Sequence, residues 1–184
     1  MPIKIKDKAN AAYYNKNPLV RYFFRFKSDL AIRMAKLNKA DNILDFGCGA
    51  GWLKDRLRSK GYNVIGYDIT PEHSDVEDYR VLNPTKIFSL DVFEHIPKKD
   101  LKNIINDFKN MNNNFELILA IPTENWLSRK MRRLFGKPER VPDHVTTLKE
   151  IKELLIEEKL RLVKMINYFE ISHLFVFKNK IKSI

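Results

Sequence analysis

The residues most able to do chemistry stand together in ILDFGCGAGWL, Ile43 to Leu53. Asp45 closes an apolar run, and Gly47, Gly49 and Gly51 follow at alternate positions. Glycine permits positive φ and carries no Cβ to collide with a bound group. A helix starting just beyond offers unpaired N–H groups to negative charge. One or two glycines would suit a plain tight turn; three at this spacing point to a nucleotide-like ligand against the main chain. The dinucleotide pattern G-x-G-x-x-G fails, because Trp52 occupies its last position. The P-loop pattern fails too: Gly136-Lys137 has Met131 where a glycine is needed and Pro138 after it. Asp68, ending YNVIGYD, has the place and charge to accept two ribose hydroxyls, or else to cap the turn before Pro71.

Weaker chemical candidates lie further along. His144 in VPDHVTTL could act as a base oriented by Asp143, or the two could cap a helix start. Glu94-His95 follows an apolar run and could face an acceptor or anchor the next helix. Tyr13 and Tyr14 could close over a ligand or simply pack. His73 and His173 read as incidental, and four scattered histidines with one cysteine give no metal spacing.

Alternating elements must position these residues. Asn42–Phe46, Tyr62–Asp68, Lys86–Phe93, Phe115–Ile121, Arg161–Glu170 and Ser172–Lys178 read as strands. Trp52–Lys60, stopped by Gly61, reads as a helix. So does Pro97–Met111, with Leu101, Ile104, Ile105 and Phe108 on one face, and so does Thr147–Leu160 after a Thr146 or Thr147 cap. Only the Ile171 corner parts the last two strands, so they form an antiparallel pair. Strands alternating with helices make a mostly parallel sheet, which binds ligands beyond its strands' carboxyl ends.

Composition narrows the class. A chain of 184 residues with 44% hydrophobic and 31% charged residues suits one globular domain. Cys48 stands alone, so no internal disulfide forms and a reducing, cytoplasmic setting is expected. No apolar run approaches the ~20 residues of a membrane span. The net charge of +11 is uneven: +8 over residues 1–40, −4 over 41–126, +5 over 127–140 and +2 over 141–184. The expected single domain divides into a basic helical cover (1–40), a ligand-binding core (41–126), a basic lid and acceptor segment (127–146) and a closing helix with a strand pair (147–184).

ILDFGCGAGWL, VIGYD, FSLDVFEHIP and LILAIP, in that order, resemble class I S-adenosylmethionine-dependent methyltransferases. DVFEHIP followed by DHVTTLKEIKELL is similar to the small-molecule enzymes of quinone and lipid biosynthesis. The resemblance covers roughly residues 42–178. It implies a Rossmann-like three-layer α/β sandwich with a seven-stranded, mostly parallel sheet whose last strand is antiparallel. It also implies S-adenosylmethionine as cofactor. Asp45, Gly47, Cys48, Gly49 and Gly51 then surround its methionine part, Asp68 and Ile69 meet the ribose, and Asp91 borders the methionine end. The family's acid or amide at the adenine has no clear counterpart: Asp75, Asp78 and Asn83 all qualify. Only 23 positions separate Asp68 from Asp91, so the chain is shortened between the family's strands 2 and 4.

The cofactor's sulfonium already carries a leaving group, so no metal and no covalent nucleophile is expected. Holding an acceptor in line with the methyl is the main task, and positioning contributes several kcal/mol. A base, from His144, Glu94 or His95, matters only if the acceptor must lose a proton.

Two basic segments remain. LSRKMRRLFGK places Leu127, Met131, Leu134 and Phe135 on one stripe among Arg129, Lys130, Arg132 and Arg133. Pro18–Leu37 mixes aromatics with Arg21, Arg25, Lys27 and Arg33. Both are cover helices, or together they deliver an anionic or membrane-embedded acceptor. The expected partner is a small-molecule or lipid-like acceptor, with peripheral contact to an anionic membrane. The alternatives are an RNA or protein methyltransferase and a non-catalytic binding module. Methylation of DNA base amines is disfavoured, since DVFEHIP stands where those enzymes carry N/D-P-P-Y.

Overall fold

Short apolar runs ended by glycine or polar residues become strands: β1 (Asn42–Phe46), β2 (Asn63–Tyr67), β3 (Lys86–Leu90), β4 (Glu116–Pro122), β5 (Leu160–Tyr168) and β6 (Ser172–Asn179). The amphipathic runs become α1 (Pro18–Ala35), α2 (Trp52–Ser59), α3 (Lys98–Met111) and α4 (Leu148–Glu157). This computed structural model describes residues 12–123, 125–126, 129–130, 133 and 144–179. The apolar stripe Leu127, Met131, Leu134 and Phe135, with Arg132 and Asp143, lies outside the described residues.

The helix limits follow from local chemistry. In α1, Asn17 accepts the Leu19 N–H at 2.9 Å, and Pro18 needs no donor at the first position. In α4, Thr147 and Glu150 form a reciprocal capping box. Thr146, the other cap candidate, is buried, and its hydroxyl donates to the Ile96 carbonyl at 2.6 Å.

The sheet order is β2-β1-β3-β4-β6-β5, with β6 antiparallel to both neighbours and the rest parallel. Side chains alternate between faces along each strand. Leu44, Ile87, Leu117, Leu119, Phe175 and Phe177 pack with Leu101, Ile105 and Phe108 of α3 and Ile151 and Leu155 of α4. Ile43, Val64, Phe88, Ile118 and Val176 pack on the other face with Ala31 and Met34 of α1 and Leu53 and Leu57 of α2. The result is the expected three-layer α/β sandwich.

Among the described residues the sheet has six strands, the six read directly from the residues, and not the seven that the resemblance implied. Residues 68–85 join β2 to β3 and carry only the 3₁₀ turn Tyr79–Val81. Tyr79 occupies the space a longer crossover would fill. Its ring lies 4.7 Å from Tyr67, 5.1 Å from Phe46 and 6.0 Å from Phe108, and its hydroxyl donates to Asp107 at 2.6 Å. The β5–β6 corner is longer than the single residue Ile171 expected, with residues 169–171 between the strands. Phe169 (φ 52°) and Glu170 (φ 59°) are both left-handed, and the Ile171 N–H donates to Tyr168 at 3.0 Å, so β5 stops at Tyr168. Tyr168 pairs with Ser172, so the connection has three residues, the first two of them left-handed.

From β1 the chain crosses through α2 to β2 on one side; from β3 it crosses through α3 to β4 on the other. A crevice therefore opens at the carboxyl ends of β1 and β3, where such sheets bind ligands.

Candidate active site

The glycine loop lines one wall of that crevice. Gly47, Gly49 and Gly51 all have positive φ, at 77°, 47° and 78°. At Gly47 the reason is packing: a Cβ there would lie 2.4 Å from Cγ2 of Val92, in the opposite wall. Gly49 differs, because nothing lies within 4 Å of its missing Cβ. Its backbone faces open space, as a surface meant for a ligand must. The loop is pinned to β2 by the Gly47 and Cys48 N–H groups, which donate to Tyr67 at 2.7 and 3.0 Å.

Asp68 turns inward from the end of β2. Its carboxylate accepts the Gly49 N–H at 2.8 Å and the Thr70 N–H at 3.0 Å. A carboxylate has about four acceptor sites, so two remain for a pair of hydroxyls. Ile69 is almost fully exposed beside it. Cys48 lies against the loop's underside, its thiol donating to the His73 carbonyl at 3.4 Å and pushed up to about 12 by burial. That thiol is not a nucleophile.

Asp45 shares its face of β1 with Ile43, is 4% exposed, and has an Oδ2 with no hydrogen-bond partner. Burial raises its carboxyl from 3.8 to about 7, against the Lys54 N–H and charge, with Asp68 and Asp75 adding repulsion. An orphaned buried carboxylate oxygen at a ligand cradle awaits a donor or a cation.

Asp91, directly after β3, holds φ 58°, a strained conformation for a non-glycine residue. Its carboxylate receives Lys27 Nζ at 2.7 and 2.5 Å. Lys27 comes from the middle of α1 with its side chain 3% exposed and lies 4.8 Å from the Phe24 ring centre. Tyr13 covers the same corner, stacked on Trp52 at 5.0 Å with planes 7° apart. Burial first, then the charges of Asp91 and Asp45, hold its phenol well above the ordinary value. Tyr13 is thus packed on Trp52 beside Asp91 and Asp45.

On the far side of Val92, the 3₁₀ turn Phe93–His95 brings Glu94 and His95 to the segment before α4. The Val145 and Thr146 N–H groups both donate to the Glu94 carbonyl, at 2.8 and 3.2 Å. The His95 and His144 rings stand 4.9 Å apart, nearly perpendicular. The three base candidates therefore form one cluster.

The adenine candidates are engaged elsewhere. Asp75 accepts from Lys54 Nζ (2.8 Å), Arg58 (2.7 Å) and the Gly66 N–H (2.7 Å). Burial pushes its carboxyl up, but these donors outweigh it and hold it below the usual range. Asp78 caps the Tyr79 turn and pairs with Arg80. Asn83 lines a cavity with Ile43, Ile65 and Pro84 at the amino ends of the strands, opposite the crevice.

Sequence reasoning missed two buried lysines. Lys54 runs beneath Gly66, whose Cβ would come within 2.6 Å of its Cδ, so glycine inside a strand was the available signal. Lys27 falls on the buried stripe of Val20, Ala31 and Met34, where helical periodicity alone marks it as anomalous. The basic cover helix is also less free than its charge suggested. Lys27 pairs with Asp91, Arg25 donates to the Tyr13 carbonyl at 3.1 Å, and Arg21 to the Asn15 carbonyl at 3.3 Å.

Three comparisons bear on this arrangement. Magnesium protoporphyrin IX methyltransferase from Synechocystis, crystallised with bound S-adenosylhomocysteine, is 16% identical with a TM-score of 0.66, over 95% of this chain and 94% of its own. A protein from Pyrococcus horikoshii is 17% identical with a TM-score of 0.68, over 95% and 99%. The cyclopropane synthase MmaA2 from Mycobacterium tuberculosis is 14% identical with a TM-score of 0.65, over 91% and 88%. At such identities the likeness is one of fold. No curated protein matches the sequence significantly. A family profile described as a methyltransferase domain matches residues 19–164, from α1 into β5 and across every wall of the crevice. The chain belongs to this methyltransferase-domain family.

Proposed function

We propose that this methyltransferase domain takes its methyl group from S-adenosylmethionine and gives it to a small-molecule or lipid-like acceptor. The observation that carries the reading is the open face of Gly49, set among Asp45, Asp68 and Asp91 at the carboxyl ends of β1, β2 and β3. Asp68 and Ile69 meet the ribose, Asp68 using its two remaining acceptor sites. Asp45, Gly47, Cys48, Gly49 and Gly51 surround the methionine part, and Asp91 with Lys27 closes its far end. Three carboxylates suit a cofactor bearing a sulfonium charge. The chain's own residues then bind, orient and exclude water, with Tyr13 and Trp52 as the cover.

The acceptor enters beyond Val92, where Glu94, His95 and His144 stand. Names of similar structures support the acceptor class: one is a magnesium porphyrin methyltransferase and another a cyclopropane synthase. The surface supports it as well. Leu19, Tyr22 and Phe169 are exposed, and rings follow one another from Tyr22 to Phe26 (5.9 Å), Phe26 to Tyr168 (6.1 Å) and Tyr168 to Phe169 (4.9 Å). A cytoplasmic setting with peripheral membrane contact belongs to the same proposal. No helix among the described residues is long and apolar enough to cross a membrane. Incubation of cell extract fractions with methyl-labelled S-adenosylmethionine tests the acceptor class. Label in the solvent-extractable fraction is expected; label confined to RNA or protein overturns it.

A further inference from the structure

We propose that Glu94, His95 and His144 form a binding site for a divalent first-row transition-metal ion on the acceptor side of the crevice. One ligand atom from each residue lies within 4.8 Å of the others, and Nε2 of His95 is 3.9 Å from Oε1 of Glu94. Ligands about 2.1 Å from a common ion stand roughly 3–3.4 Å apart, so the side chains close by about 1.5 Å. Rotation of the imidazoles supplies that, since His95 is 40% exposed and His144 half-buried.

The backbone fixes the cluster in advance. Glu94 and His95 lie in one tight turn, and the His144 segment is tied to it by three hydrogen bonds. Val145 and Thr146 donate to the Glu94 carbonyl at 2.8 and 3.2 Å, and the Thr146 hydroxyl donates to the Ile96 carbonyl at 2.6 Å. These bonds hold residues 49 or more positions apart, so the histidines meet by design of the fold and not by a chance rotamer. Glu94, with its side chain 3% exposed, sits at the bottom, and the histidines reach toward solvent. That gradient sets a buried carboxylate beneath two imidazoles.

The donor set decides the metal class. Two imidazoles and one carboxylate suit Zn²⁺, Mn²⁺ or Fe²⁺, while Mg²⁺ and Ca²⁺ prefer oxygen alone. Three protein ligands with positions left open are the arrangement of reactive metal sites, whereas structural sites close with four. The open positions take water or an acceptor oxygen; the second possibility rests on the methyl-transfer reading, the metal site itself does not. Individually these residues read as weak base candidates. Together they are a chelate.

The test uses the full chain without a histidine tag, stripped with chelator and titrated by calorimetry with Zn²⁺ and, separately, Mn²⁺. One saturable equivalent is expected, with Mg²⁺ far weaker. His144→Gln and His95→Gln should each weaken binding by at least the roughly 10–100-fold that loss of an outer-shell partner causes. His73→Gln should leave it unchanged. The histidine variants carry the test because Glu94 is buried, and their circular dichroism should match the parent's. No stoichiometric binding of either ion, or binding that His144→Gln leaves intact, overturns the proposal. A parallel titration with S-adenosylhomocysteine separates the two readings. Metal binding without it supports the site and sinks the cofactor assignment; its binding without metal does the reverse.

Discussion

Replacing Asp45 with asparagine should change how the protein's stability depends on pH. The carboxyl is 4% exposed and raised from 3.8 to about 7, chiefly by burial. The folded state therefore holds this proton more tightly than the unfolded state. Its contribution is fully present below the unfolded value and is lost as pH rises through about 7. The shift spans roughly three pH units at about 1.4 kcal/mol each, or roughly 4 kcal/mol in all. Asparagine keeps the shape and carries no proton to lose. The stability of Asp45→Asn minus that of the parent should thus rise by roughly 4 kcal/mol between pH 4 and pH 8. Urea unfolding of the ligand-free proteins measures it. With an m-value of about 2 kcal/mol/M, the difference in midpoints should widen by about 2 M. Titrations of groups that do not interact with Asp45 are common to both proteins and cancel. Parallel stability profiles from pH 4 to 8 would refute the assignment of a buried Asp45 carboxyl raised to about 7. The same variant should bind S-adenosylmethionine more weakly at pH 8, because the charge that strains the empty protein is the one that meets the cofactor.

Gly49→Val should abolish S-adenosylmethionine binding in calorimetry while circular dichroism keeps the parent's sheet signal. It places a branched side chain in the open cradle and forces it into a left-handed conformation, a strain of about 1–2 kcal/mol. Asp68→Ala should weaken cofactor binding by about 1–3 kcal/mol, the effect of leaving ribose hydroxyls without their charged acceptor. Equal affinity for parent and variant ends the ribose assignment. Lys27→Met should destabilise the protein by about 2–3 kcal/mol, because Asp91 loses its buried partner yet stays partly open to water. Adding Asp91→Asn should recover most of that loss in urea unfolding, and a simple sum of the two single effects rules out the coupling.

The sheet was legible because its strands are bounded by residues that act locally. Gly47 and Gly61 end runs, Pro97 opens a helix, and Thr147 with Glu150 caps another. The ligand loop was legible for the same reason, since positive φ over three glycines is a local demand. The seventh strand came from resemblance and not from residues, and the 18 positions from 68 to 85 had no room for it beside the Tyr79 plug. What stayed hidden was tertiary. Lys27 meets Asp91 across 64 positions, and His144 meets His95 across 49. Nearby sequence names neither partner, because the fold alone decides which elements share an end of the sheet. Charge misled for a related reason: Arg21, Arg25 and Lys27 read as a free basic face, yet each is held by a carbonyl or carboxylate of the chain itself.

Calorimetric titration of the ligand-free chain at pH 7.5 with S-adenosylmethionine and with S-adenosylhomocysteine tests the cofactor cradle most directly. Saturable binding of both with one equivalent per chain, lost in Gly49→Val, is the expected result. The absence of heat with both ligands at millimolar concentration, from protein whose circular dichroism shows it folded, contradicts the assignment of the crevice between β1 and β3 as the methyl donor's site.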